Sequence, residues 1–380
     1  MTIEEKSPVT ILDEAYTDAK EAKEPFIEDE NIRKLISTVC RSSTKAGIRV
    51  ILSCALTKTH SPTVDIRKPY TGIEGNHPDA FSGRAYDESY ITGFINEHKL
   101  PCNSTTGYLT PSFRTKNEVI TLDLDFGGRP KDMYEAVKHL LNYVHEETIS
   151  SSSLLKEMIR CLIIIKGEKQ QRLSSLLNEI NPDLALTLSS EDIVHIIEMH
   201  LNSDNASRLP VLAIAAAYNA AEEYLKEKIV PLESHNAADI STKSSGDVEI
   251  TLLGDDKVIT SYEMKLKKVL ISDIENALNK LAELKIIVDN YIFITTEDID
   301  EDVLEYAKKQ YLSTGGIEFM ILNCVDFVRH FLHMFHRIRS KYLDKYQELV
   351  LSEPESSVNQ NLKEIFLNLR IVAEQQYADT

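Results

Sequence analysis

The stretch GDVEITLLGDDKVITSYEMKLK, residues 246–267, decides the reading of this chain. GDVEITLL (246–253) alternates apolar and polar residues with a period of two, the mark of a β-strand, and is rich in β-branched residues. Gly254-Asp255-Asp256 is a turn signal, and KVITSYEMKLK (257–267) reads as a second strand antiparallel to the first. Asp247 and Glu249 are two positions apart and point to one face of their strand; Glu263 and Lys265 do the same on theirs. The turn therefore lets three carboxylates and one lysine converge at one end of a sheet. Like charges so gathered repel, and a strand in a core would carry apolar residues there. A divalent cation relieves the repulsion: Mg²⁺ takes hard oxygen ligands from one or two carboxylates, with water and phosphate oxygens completing the shell. Lys265 then stands ready to orient an attacking water and to steady phosphate charge.

Outward from the hairpin, the segments fall into a definite order. LPVLAIAAAYNAAEEYLKEKI (209–229) reads as a long Ala-rich helix with Pro210 near its first turn, and HNAADIST (235–242) as a short strand. After the hairpin come a helix over Asp273–Leu284, a strand NYIFITT (290–296), a helix over Ile299–Tyr311, a strand GIEFMIL (316–322) and a long helix from Val325. Helix, strands, helix, strand, helix, strand is the order of an α/β (α+β) protein with a mixed central β-sheet flanked by helices. The preceding part is largely helical, with periodic segments near Asp132, over Leu154–Lys166 and Gln171–Ile180, and over Ser190–Leu201, whose SSED start is an N-cap signal. Residues 31–58 mix helical spacing with a β-branched run.

The 380 residues suggest two or three domains at about 150 residues each. The expected division is an acidic N-terminal arm (1–30), a mostly helical region (31–205) with a loop-rich segment (60–118), a sheet-bearing core (206–345) and a C-terminal helical extension (346–380). Apolar runs are far shorter than the roughly 18 residues of a membrane span, and MTIEEKSPVT lacks the apolar stretch of a secretory signal, so a cytoplasmic protein without membrane partners is expected. Five scattered cysteines (Cys40, Cys54, Cys102, Cys161, Cys324) with no CxxC pair read as reduced thiols.

A net charge of −18 argues against nucleic acid when taken alone, yet charge acts locally. The first 30 residues hold three Lys against ten Asp and Glu, whereas residues 31–50 hold five basic residues and no acid. The loop-rich segment offers Arg67, Lys68, Arg84, Asn103, Arg114 and Lys116, residue types that pair with base edges or phosphates of DNA. A polar structured loop without a DNA contact is the plain alternative. His330, His333 and His336 recur every three residues, but the apolar residues between them favour a packed helix over a zinc site. GxSxG, GxxxxGK[ST], GxGxxG and HExxH are absent, which excludes the commonest hydrolase, nucleotide-loop and metalloprotease signatures.

Asp247, sixteen positions ahead of Glu263, followed by Glu-Met-Lys on the next strand, resembles the PD-(D/E)XK nuclease pattern of acid, hairpin, acid-X-Lys. Gly246 stands where that pattern often has proline. More widely, KPYTGIEG, FSGRAYDESYI, LPCNSTTGYLTPSFRTKN, SRLPVLAIAAAYNAA, DNYIFITT and RHFLHMFHRIRSKYL resemble the SacI-type restriction endonucleases over about residues 60–375. The resemblance implies a PD-(D/E)XK core and a Type II restriction endonuclease, Mg²⁺-dependent and acting on double-stranded DNA at a short palindrome; the named member reads GAGCTC. It implies Asp247, Glu263 and Lys265 as catalytic residues. Asp247, Glu263 and the Met264 carbonyl would be metal ligands, with Glu249 optional and Glu222 or Glu223 a further ligand from the preceding helix. A palindromic target implies a homodimer, and such an enzyme needs a cognate DNA methyltransferase in a prokaryotic cell. The alternatives are a structure- or damage-specific nuclease of repair or phage defence, a catalytically inactive DNA-binding module, and an acidic helical scaffold with no DNA partner.

Overall fold

The computed structural model describes residues 6–103, 105–114, 116–232 and 244–378. The chain divides into two compact units, Met1–Gln171 and Arg172–Thr380.

The first unit is built of helices and ordered loops among its described residues. Helix α1 (Pro8–Glu21) starts where the Ser7 hydroxyl accepts the Thr10 N–H at 3.1 Å, and it buries Leu12, Ala15 and Ala19. The described part of the expected acidic arm is packed: Leu12, Ala15 and Ala19 set one apolar stripe of α1 into the core, Ile27 beyond the helix joins the same core, and the charges of α1 are exposed. Helix α2 (Glu30–Arg41) is capped by the Asp29 carboxylate, which accepts from Asn31 N at 2.7 Å, and buries Ile32, Ile36, Val39 and Cys40. Helix α3 (Ala46–His60) is buried on every side from Ala46 to Thr57. The β-branched run in it therefore does not make a strand; an all-round apolar helix is stable at the centre of a helical core. Gly47 is where α3 meets α6 (Lys131–His145), since a Cβ there would stand 2.4 Å from the Met133 sulfur.

The loop-rich segment contains helices α4 (Gly83–Tyr86) and α5 (Thr92–His98), joined by a π-turn over Asp87–Ile91, and a 3₁₀ turn over Gly107–Leu109. A buried ion pair fastens it to α3. Arg49 and Asp87 are both 0% exposed, with Arg49 Nε donating to Asp87 Oδ1 at 2.7 Å. Arg49 also donates to the Asn103 carbonyl at 3.0 Å and the Thr92 hydroxyl at 2.5 Å, while Asp87 accepts from the Thr106 hydroxyl and from Gly107 N. Helix α7 (Ser151–Glu179) is continuous where the sequence suggests two helices. Gly167 lies within it, and one exposed glycine costs only about 1 kcal/mol, too little to break a long helix.

The second unit opens with α8 (Pro182–Ala185) and α9 (Ser190–Leu201), the latter with the expected cap: Ser189 Oγ accepts from Asp192 N, and the Asp192 carboxylate from Ser189 N. Helix α10 (Leu209–Leu225) ends at Lys226 in the left-handed conformation (φ 59°), so that Glu227–Ile229 forms β1 rather than a further helical turn. The sheet continues with β2 (Val248–Leu252) and β3 (Val258–Lys265), then α11 (Ile271–Leu284), β4 (Asn290–Thr295), α12 (Glu301–Ser313) and β5 (Glu318–Asn323). The strand expected at HNAADIST (235–242) lies wholly outside the described residues. The order across the sheet is β1-β2-β3-β4-β5, antiparallel from β1 to β3 and parallel from β3 to β5. The protein is thus mixed α/β, with a five-stranded mixed sheet flanked by helices. Alternation sorts the faces. Val248, Ile250, Tyr262, Ile292 and Ile294 share a core with α10, whereas Tyr291, Phe293, Phe319 and Ile321 pack with Ile274, Ala277 and Leu281 of α11 and with Val303 and Ala307 of α12.

The chain leaves β5 in α13 (Cys324–Met334), turns through Phe335 (φ −109°, ψ 39°) and a 3₁₀ segment over His336–Ile338, and continues in α14 (Arg339–Ser352) and α15 (Gln360–Ala378). The long helix expected from Val325 is therefore broken. The boundaries expected near 205 and 345 do not separate compact units either: Ile193 and Ile197 of α9, and Leu362, Phe366 and Leu367 of α15, lie in the same core as β2 and α10. Buried His200 of α9 ties these ends together, bonding Tyr346 Oη and the Leu362 carbonyl at 3.0 Å each. All five cysteines are free thiols. Among the described residues no helix is long and apolar enough to cross a membrane.

Candidate active site on the mixed sheet

Strands β2 and β3 pair Val248 with Tyr262 and Glu249 with Ser261, and the backbone N–H of Asp247, the residue before β2, donates to the Tyr262 carbonyl at 2.7 Å. Gly246 meets the same carbonyl: a Cβ at 246 would lie 2.5 Å from Tyr262 O. That contact is the local reason for glycine at the position before Asp247. Asp247 is exposed, and its Oδ2 accepts the Met264 N–H at 2.7 Å, which fixes the carboxylate to β3 beside Glu263.

Glu263 and Lys265 lie on one face of β3, and parallel pairing sets Phe293 and Thr295 of β4 next to them. Lys265 Nζ stands 3.2 Å from Glu263 Oε1 and 3.2 Å from Asp273 Oδ1, in the first turn of α11. Lys265 is 28% exposed and the two carboxylates 22% each, so the group is half-shielded and still reachable from solvent. Burial lowers the Lys265 pKa, but the charge and hydrogen bonds of Glu263 and then Asp273 outweigh it; the net direction is up, and the ammonium form is favoured. The other oxygens of both acids are also held. Tyr291 Oη, buried under the sheet, donates to Glu263 Oε2 at 2.9 Å, and Leu270 N donates to Asp273 Oδ2 at 2.9 Å. Tyr291 Oη also lies 3.0 Å from the Ser245 carbonyl and so braces the lead-in to Asp247.

Glu249 faces a different task from its neighbours. Its Oε1 accepts from Ser245 N at 2.6 Å and from Ser245 Oγ at 2.5 Å, and Ser245 Oγ is 2.5 Å from Ser261 Oγ. Glu249 is thus a clamp that closes the Ser245–Asp247 turn. Glu222 and Glu223 are exposed on the last turn of α10, and among the described residues no hydrogen bond or ion pair joins either to this network. No three Asp, Glu, His or Cys side chains among the described residues form a group able to hold a metal ion. A pair of carboxylates remains, Asp247 and Glu263, joined by adjacent strands. Two hard oxygen donors fit Mg²⁺, which takes one or two carboxylates and keeps several waters.

The six residues proposed for DNA contact all lie in the first unit, away in sequence from this network. Arg67 pairs with Asp65 at 3.0 Å and Lys68 with Asp79 at 2.6 Å, both lysine and arginine largely buried, so these two are internal ties of the loop. Lys116 Nζ donates to the Asp125 carbonyl at 2.5 Å. Arg84, paired with Glu88 at 2.8 Å, and Asn103 and Arg114 are exposed. The three histidines do not share a helix face: His330 and His333 are on α13, His336 is in the 3₁₀ segment, and His333 bonds Glu191 at 2.8 Å.

Sequence reading missed Asp273, Tyr291, Ser245 and Ser261. Asp273 marks only a helix start, and Tyr291 is one apolar residue in a strand. Tyr291 comes to the site through the β3–β4 register, in which it pairs with Ser261 two residues before Glu263, and Asp273 through the first turn of α11. Comparison of the sequence with protein-family models and with curated proteins gives no match.

Proposed function

We propose that the chain is a Mg²⁺-dependent nuclease with a PD-(D/E)XK core that hydrolyses phosphodiester bonds in double-stranded DNA, and that it acts as a Type II restriction endonuclease. The observation that carries the reading is the union of Asp247, Glu263 and Lys265 at one end of β2 and β3, between a preceding helix and a following helix-strand unit.

Asp247 and Glu263 would hold the cation, with the Met264 carbonyl as a third oxygen and Glu249 steadying the turn that presents Asp247. When bound, Mg²⁺ supplies Lewis acidity, making the attacking water more acidic and the phosphate more electrophilic. Lys265 orients that water and lies against the phosphate oxygens, where its charge offsets the negative charge that grows in the transition state. The water oxygen bonds to phosphorus, the bond from phosphorus to the 3′ oxygen breaks, and a proton goes to that oxygen. The products carry a 5′-phosphate and a 3′-hydroxyl. Arg84, Asn103 and Arg114 are the residues best exposed for base or phosphate contact. The same reading carries a homodimer on a palindromic site, a cognate methyltransferase and the prokaryotic cytoplasm.

Digestion of a sequenced phage genome in Mg²⁺, beside Lys265→Ala and Mg²⁺-free controls, tests it. Discrete fragments that vanish in both controls are expected, and their sequenced ends give the target. A smear would replace the restriction reading with that of a structure- or damage-directed nuclease. DNA left intact by the wild-type chain would refute the nuclease reading.

A further inference from the structure

We propose that Asp273 is a positioning residue of this site, which retains Lys265 when a divalent cation displaces the ammonium from Glu263. The inference rests on the nuclease reading above. Lys265 Nζ is equidistant, at 3.2 Å, from Glu263 Oε1 and Asp273 Oδ1. The remaining oxygens of both acids are pinned, one by Tyr291 Oη and one by Leu270 N, each at 2.9 Å. Of the three charged groups, only the lysine rides on a long flexible stem.

A cation held by Glu263 would compete with the ammonium for this carboxylate, since two positive charges repel each other there. Without Asp273, entry of the cation would strip Lys265 of its partners in a half-shielded site. With Asp273 already paired at the same distance, entry would remove one partner and leave the other, so that Lys265 keeps a countercharge beside the reacting phosphate. The first turn of α11 suits this task, since a helix N-terminus favours a negative side chain.

The probe is Mn²⁺, titrated calorimetrically into the full chain without DNA. Asp273→Asn keeps an acceptor for Leu270 N and removes the charge. It is expected to weaken Mn²⁺ binding about fivefold, the scale of a partly screened ion pair. Lys265→Met should tighten binding, Asp273→Glu should restore it, and in the Lys265→Met background Asp273→Asn should have no effect. Should Asp273→Asn not fold, Asp273→Ser, whose hydroxyl also accepts from Leu270 N, takes its place. An equal loss in the Lys265→Met background would overturn the proposal, because Asp273 would then act on the cation directly. Unchanged binding in Asp273→Asn would overturn it too. A wild-type chain that binds no Mn²⁺ would instead overturn the metal-dependent reading from which it starts.

Discussion

Replacing Arg49 by Met should destabilise the first unit more than almost any surface change in the chain. The guanidinium makes three donor contacts at 2.5–3.0 Å to Asp87, Asn103 and Thr92, and both charged partners are fully buried. Methionine fills similar volume but leaves Asp87 with no countercharge. Breaking a buried pair by removing one partner costs about 3–5 kcal/mol. For a unit of this size each kcal/mol moves the midpoint by roughly 2–4 °C, so its melting transition should fall by about 6–20 °C. The defect should depend on pH. Burial raises the Asp87 pKa, with Arg49 opposing it. Removing Arg49 raises it further, so the folded-state penalty on the carboxylate is present above the variant's folded pKa and vanishes as pH falls below the unfolded value. The gap between wild type and variant, read from urea melts, should therefore narrow on acidification. A double variant, Arg49→Met with Asp87→Leu, should recover much of the loss because no orphan charge remains. A single variant within 1 kcal/mol of wild type, or a double variant that merely adds the two single costs, would refute the reasoning.

Tyr291→Phe keeps the ring stacked on Phe319 but deletes the hydroxyl that holds Glu263 and the Ser245 carbonyl; denaturant melts should show a loss of about 1–2 kcal/mol, and no loss would mean those bonds are idle. Gly246→Ala would force a methyl against the Tyr262 carbonyl and push β2 from β3, costing about 1–3 kcal/mol by the same assay. Burial lowers the His200 pKa to about 4, against the bond to the Leu362 carbonyl, which raises it; the neutral ring is the folded form, so its share of stability is complete above pH 6.5 and is lost as pH falls toward 4. Unfolding free energies measured over that range should lose this slope in His200→Gln.

The strands of the second unit were legible because alternation and Gly254 leave few other readings of residues 246–267. β1 was hidden because Glu227–Ile229 is only three residues and continues an Ala-rich helical run, which ends on the backbone conformation of Lys226. The α1 stripe was hidden by composition: ten acids in the first thirty residues outweigh the well-spaced Leu12, Ala15 and Ala19 to the eye, although the latter decide packing. The acids and lysine of the candidate site could be read from strand periodicity. Their partners could not, since Tyr291 and Asp273 reach them only through a parallel register and a helix entry that local pattern does not specify. Glu249 shows the converse: its spacing suggests a ligand, and its hydrogen bonds make it a brace.

Among the described residues strand β1 is the outermost strand on the antiparallel side of the sheet, and its brevity has a consequence for solubility. An edge strand offers unpaired N–H and carbonyl groups on which a foreign strand can grow, and short, charged edges discourage that growth. Glu227 and Lys228 make up two of its three residues, while β2, with five largely buried residues, is kept from the rim. The three-residue strand thus discourages amyloid-like recruitment at its edge, with a segment too short to seed a sheet of its own.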